Sequence, residues 1–115
     1  MTDDLAFLVS LGQLSNASSQ GFSLALHDRS LEGFLVKKDA EVFAYINRCP
    51  HTGAPLDWTP HQFLDSDATH IQCAMHGALF QIETGRCVAG PCIDQYLEPL
   101  PLVIRDGKVF LRYGG

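Results

Sequence analysis

The chain has 115 residues, 46% of them hydrophobic and 18% charged, with a formal net charge of −5. That length gives one domain around one core, and the composition excludes a disordered chain. The acidic balance argues against a nucleic-acid partner and suits docking on a basic protein surface.

The opening "MTDDLAFLVSLGQL" carries acid where a secretory signal carries base, and no apolar run is long enough to span a bilayer. The expectation is an unanchored chain with no membrane partner, placed in the cytoplasm. In that reducing compartment four cysteines suit metal binding or plain thiols better than disulfides.

Beta signals follow in short runs. Phe22 to His27, Gly33 to Lys38 and Glu41 to Asn47 read as successive strands, with Lys38-Asp39-Ala40 as a turn between the last two. Along the third run Phe43 and Tyr45 lie on the face opposite Val42, Ala44 and Ile46, and the pattern does not say which face meets the core. From about Arg48 to Pro91 the texture changes to Pro, Gly, His and Cys, with strand fragments at "HIQC" and "ALFQIETGRCV". The connection from Thr52 to Thr69 is long for a structureless loop, a reason to look for function there. Near the end "PLVIR" and "KVFLRY" flank Asp106-Gly107, a two-residue hairpin connection that tolerates positive φ. The frame is antiparallel β, and the fold class is all-β.

Two phrases carry the chemistry: "CPHTGAPL" from Cys49 and "CAMHGALF" from Cys73. Each offers a soft thiolate and an imidazole, so Cys49, His51, Cys73 and His76 make four ligands. A Cys₂His₂ set on a single ion suits tetrahedral zinc. The usual zinc finger, however, puts both cysteines in one phrase and both histidines in the other, whereas here each phrase is mixed. That arrangement suits a two-metal cluster in which the cysteines hold one iron and the histidines the other.

C-x-H-x-G-x-x-L followed by C-x-x-H-G-x-x-F resembles the Rieske [2Fe–2S] proteins, and the likeness extends to Gly85, to Ala89-Gly90-Pro91 and to the closing "DGKVFL". The resemblance implies a Rieske iron–sulfur fold: one domain over residues 1–115, an antiparallel β base with a small inserted cluster-binding subdomain at about 48–91. It implies one [2Fe–2S] cluster per chain, with Cys49 and Cys73 on the inner iron and His51 and His76 on the outer one. Gly53 and Gly77 would let the backbone turn close to the cluster, and Gly90-Pro91 would match a covering loop. The ligand spacing is longer than the family's common range, and "HQFLDSDATH" is expected to be a surface insertion.

High-potential members resemble one another in a serine directly after the second phrase's glycine and a tyrosine two residues later; this chain has Ala78 and Phe80. Ala54 and Met75 stand where the respiratory type has a disulfide. Both differences imply a low-potential ferredoxin, near the lower end of the family's range of roughly −150 to +300 mV. The implied function is one-electron transfer from a flavin- or iron–sulfur-containing reductase to a terminal oxygenase or similar acceptor, without catalysis by this chain. The alternatives are a permanent small subunit of a larger reductase complex, similar to the small subunit of assimilatory nitrite reductase, and a redox-inert zinc module.

Of the remaining residues, Cys87 and Cys92 read as buried packing, with a place near the cluster or a redox role as the other readings. His27, His61 and His70 read as ordinary surface or strand histidines. Trp58 reads as a prop for the long connection, and Met75 as either a contact to the cluster or filler between the loops.

Overall fold

The computed structural model describes residues 4–25, 30–39, 41–50, 56, 62–73 and 77–113. Among the described residues nine strands run β1 (Asp4–Ser10), β2 (Ser18–Ala25), β3 (Ser30–Lys38), β4 (Glu41–Ile46), β5 (His70–Gln72), β6 (Leu79–Gln81), β7 (Cys87–Ala89), β8 (Leu102–Arg105) and β9 (Lys108–Tyr113). One 3₁₀ turn, Leu11–Gln13, interrupts them. All pairings are antiparallel, in three sheets of three strands ordered β1-β9-β8, β2-β3-β4 and β5-β6-β7. The all-β expectation holds.

The middle sheet, β2-β3-β4, explains the ambiguity of its own sequence. In β3, Phe34 and Val36 enter the core shared with β5, β6 and β7, while Leu35, between them, enters the core shared with β1 and β9. β4 divides the same way, Phe43 and Tyr45 against the first core and Val42 and Ala44 against the second. Both faces are covered, so the strand reads as a continuous apolar run and not as an alternation. The choice between Phe43/Tyr45 and Val42/Ala44 therefore has no single answer.

Gly33 pairs with Phe22 across β2 and β3. A β-carbon on Gly33 would lie 2.6 Å from the Phe22 ring, so the ring occupies the space a side chain would need. At the other end of the chain, Asp106 and Gly107 take φ of 53° and 72°, the left-handed pair that closes the β8–β9 hairpin as predicted.

β1 has no counterpart in the sequence reading. It pairs with β9, from Asp4 opposite Tyr113 to Ser10 opposite Lys108, and Val9 is buried against Val109. The expected insertion also behaves differently at its centre. Residues 63–72 fold back on themselves through Gln72 N–H to Phe63 O and Asp65 N–H to His70 O, both backbone bonds. Phe63 is buried and stacks on Phe34 with ring centroids 4.3 Å apart and planes 6° from parallel. The excursion is anchored in the core, not merely laid on the surface. Its turn is closed by Asp65, whose carboxylate accepts the N–H groups of Thr69 and His70. Desolvation pushes the Asp65 carboxyl up, but these donors and the Thr69 hydroxyl outweigh it and hold it below the usual carboxylate value.

Candidate metal centre

Cys49 follows β4 and Cys73 follows β5, and both are buried in the same core, together with Ala78, Phe80, Cys87 and Cys92. The fold thus brings the cysteines of both phrases into one core. None of the four cysteines is in a disulfide.

The second phrase is a tight loop. Cys73 N–H donates to Ala78 O and Gly77 N–H donates to Cys73 O, each at 2.9 Å, with Gly77 at φ +68°. A left-handed turn of this kind favours glycine, which fits the expectation for Gly77. At the end of the first phrase Leu56 is fully buried, and its N–H donates to Asn47 Oδ1 at 2.8 Å. Beside Cys49 a cleft of about 380 Å³ opens between Arg48, Pro50, Tyr96 and Glu98.

A third segment closes on the second. β7 pairs with β6, Phe80 opposite Cys87 and Leu79 opposite Ala89, and the chain then turns at Gly90 with φ +99°. There the backbone rests on the second phrase, because a β-carbon at Gly90 would lie 2.8 Å from Ala78 Cα. Only glycine permits that approach, which is the physical content of the Gly90-Pro91 match.

Tyr45 ties this region to the middle sheet. Its hydroxyl donates to Ile82 O at 2.6 Å, and its ring fills the place where a Gly85 side chain would stand. Burial, reinforced by the Glu83 carboxylate, pushes the phenol up to about 12. The segment after the covering loop runs back along β4, with Ile46 N–H to Glu98 O and Leu100 N–H to Ala44 O. Tyr45's structural role was not legible beforehand; the only sequence signal was a tyrosine in a strand buried on both faces.

Cys87 and Cys92 are fully buried, in line with the packing reading, and their sulfurs are 2.9 Å apart. Burial first, then the Cys87 sulfur and the neighbouring Cys49 and Cys73, push the Cys92 thiol up to about 12. His70 opens β5 with its ring 3.0 Å from the Thr69 hydroxyl, an ordinary turn contact. His51, His76, Gly53, Ala54, Met75, Trp58, His27 and His61 lie outside the described residues.

Among the described residues no three His, Cys, Asp or Glu side chains gather as a metal set. The thiol half of the expected donor set fits an iron–sulfur cluster: two buried soft ligands in one core, the second followed by a turn at Gly77. Ala78 and Phe80, both fully buried, offer no side-chain donor.

A sequence model of the Rieske [2Fe-2S] domain matches residues 9–105. A curated relative, the 3-phenylpropionate/cinnamic acid dioxygenase ferredoxin subunit of Photorhabdus laumondii subsp. laumondii, is 33% identical over 73 residues. That alignment covers 64% of this chain and 65% of the relative, so the match spans about two-thirds of each length. Among solved structures, the ferredoxin of carbazole 1,9a-dioxygenase from Nocardioides aromaticivorans IC177 superposes with a TM-score of 0.70 at 22% identity, covering 96% of this chain and 97% of that one. A chain from the complex of reduced oxygenase and oxidized ferredoxin in carbazole 1,9a-dioxygenase gives 0.72 at 16% identity, covering 94% and 92%. At these identities the two structures establish the fold.

Proposed function

Because the chain belongs to the Rieske [2Fe–2S] domain family, we propose that it is a one-electron carrier, taking electrons from a reductase and passing them to a terminal oxygenase or similar acceptor. In this reading Cys49 and Cys73 hold the inner iron and His51 and His76 the outer one, within a cluster-binding subdomain at about residues 48–91. The cluster supplies the one-electron couple. The chain's part is to bury the thiolates, seat Gly90 on Ala78 and leave the partner a surface at the ligand loops.

The observation that carries this reading is the convergence of Cys49, Cys73 and the Gly90 turn on one apolar core. The curated relative named a dioxygenase ferredoxin subunit supports an exchanging carrier over a permanent reductase subunit. Family membership replaces the zinc alternative with an iron–sulfur group. The same relative, a ferredoxin subunit, supports reading the chain itself as a carrier and not an enzyme. No helix among the described residues is long and apolar enough to cross a membrane. We place the chain in the cytoplasm, where the four reduced cysteines fit a reducing compartment.

The test is an EPR spectrum of the dithionite-reduced protein, purified without oxygen, with metal counted on the same sample. Two irons per chain and a rhombic signal with mean g clearly below that of all-cysteine [2Fe–2S] ferredoxins are expected. One zinc and no signal would overturn the reading.

A further inference from the structure

We infer that Cys87 and Cys92 form a reversible dithiol/disulfide site, a thiol-oxidation site separate from the cluster ligands, whose oxidant is a hydroperoxide.

The geometry is already set for an intramolecular bond. The two Sγ atoms are 2.9 Å apart, with the Cys92 thiol directed at the Cys87 sulfur and the Cys87 thiol at Ala89 O, 3.2 Å away. Three backbone bonds hold the two residues in this relation: Cys87 N–H to Gln95 O, Asp94 N–H to Cys87 O, and Gln95 N–H to Cys92 O. A bond here would close a short loop containing Gly90 and Pro91, and so would staple the segment that rests on Ala78.

The chemistry balances without a further reactant. The Cys87 sulfur attacks the hydroperoxide O–O bond; an S–O bond forms, the O–O bond breaks, and the thiol proton passes to the departing alkoxide, which leaves as an alcohol, giving a sulfenic acid. The Cys92 sulfur attacks the Cys87 sulfur, the S–S bond forms, the S–O bond breaks, and the Cys92 thiol proton joins the departing hydroxide as water. Two sulfurs lose two electrons in all, and the peroxide gains them.

Both thiols are fully buried, so attack requires a local opening. The side chains flanking the pair leave it close to solvent: Val88, Ile93 and Tyr96 are exposed at 37%, 56% and 58%. The site is therefore set up for closure by proximity while burial protects it from casual oxidation.

Tryptic cleavage separates the pair from the ligand cysteines. Cutting after Arg48, Arg86 and Arg105 puts Cys49 and Cys73 on one peptide and Cys87 and Cys92 on the next. The full-length holoprotein is treated with one equivalent of tert-butyl hydroperoxide, quenched in acidic denaturant with N-ethylmaleimide, and mapped by mass. The expected result is a peptide 87–105 lighter by two hydrogens and unalkylated, restored to double alkylation by dithiothreitol, while peptide 49–86 keeps two alkylated cysteines. Double alkylation of 87–105 after oxidant, single-sulfur sulfinic acid, or a cross-link to Cys49 or Cys73 would each overturn the proposal. In Cys92→Ser, or Cys92→Ala if the serine variant fails to fold, Cys87 should stop at a dimedone-trappable sulfenic acid that the parent protein does not accumulate. Equal trapping in both would also overturn it.

Discussion

Gly90 lies against Ala78 so closely that a β-carbon on the glycine would stand 2.8 Å from the alanine Cα and 3.1 Å from its Cβ. The two segments flanking the β6–β7 pairing are thereby held at backbone contact, and the covering loop has no slack at this point. Replacing Gly90 with Ala adds both the clash and the strain of φ +99°. Gly90→Ala should lose about 2–3 kcal/mol of stability. Thermal unfolding checks this, and iron content per chain should fall with it, because the loop must lift away from the second phrase. An unchanged melting temperature would mean that the contact is looser than described.

The hydrogen bond from Tyr45 to Ile82 O is the fastening between the middle sheet and the turn that precedes β7. Tyr45→Phe leaves a carbonyl without this donor and should cost about 1–3 kcal/mol. The bond also gives a pH signature. The phenol's folded pKa is about 12 against an ordinary 10.0, so the protonated form is favoured by folding. Its contribution is fully present below about pH 10 and is lost as pH rises toward about 12. Alkaline unfolding should therefore be steeper in the parent protein than in Tyr45→Phe across that window, as followed by circular dichroism.

Ala78 is buried beside the second ligand phrase and carries no donor. Ala78→Ser would supply a hydroxyl where high-potential members of the family resemble one another in having one. A donor that binds the reduced cluster about 1–2 kcal/mol more tightly than the oxidised one would raise a one-electron potential by roughly 40–90 mV, at about 59 mV per tenfold. Protein-film voltammetry reads this directly. A potential that does not rise in a protein with full iron content would contradict the low-potential argument.

His51→Cys tests the ligand assignment itself. One more anionic ligand on the outer iron should lower the potential by on the order of 100 mV, toward the plant-type value of about −400 mV, and move the mean g upward. An unchanged potential in an intact cluster would remove His51 from the ligand set.

Much of the fold was legible because local chemistry fixed it. Asp106-Gly107 could hardly be anything but the tip of a hairpin, and the strand after Gly33 is apolar enough to announce itself. β1 was not legible. The run "DLAFLVS" has no clean alternation, and its place as a strand depends on β9 at the far end of the chain, Asp4 opposite Tyr113. Likewise Phe63 sat within a stretch rich in His, Asp and Ser, and only its stacking on Phe34 marks it as core. At the candidate site, the spacing of cysteines, histidines and glycines pointed to the donor set, of which the described residues place Cys49 and Cys73 in one core. The seating of Gly90 on Ala78, the fastening by Tyr45 and the proximity of Cys87 to Cys92 are relations between segments, set by the β6–β7 and β3–β4 pairings.

The core behind Cys49 and Cys73 contains no buried polar or charged residue among the described residues, and Tyr45, its one hydroxyl, already has its dipole committed to Ile82. A wall of this kind has little to reorient when a charge arrives next to it. For an electron carrier the reorganisation energy on the protein side would then be small, leaving the solvent as the main part that must rearrange. Docking a partner would displace that solvent, so the same contact that brings donor and acceptor within range would also ease the transfer.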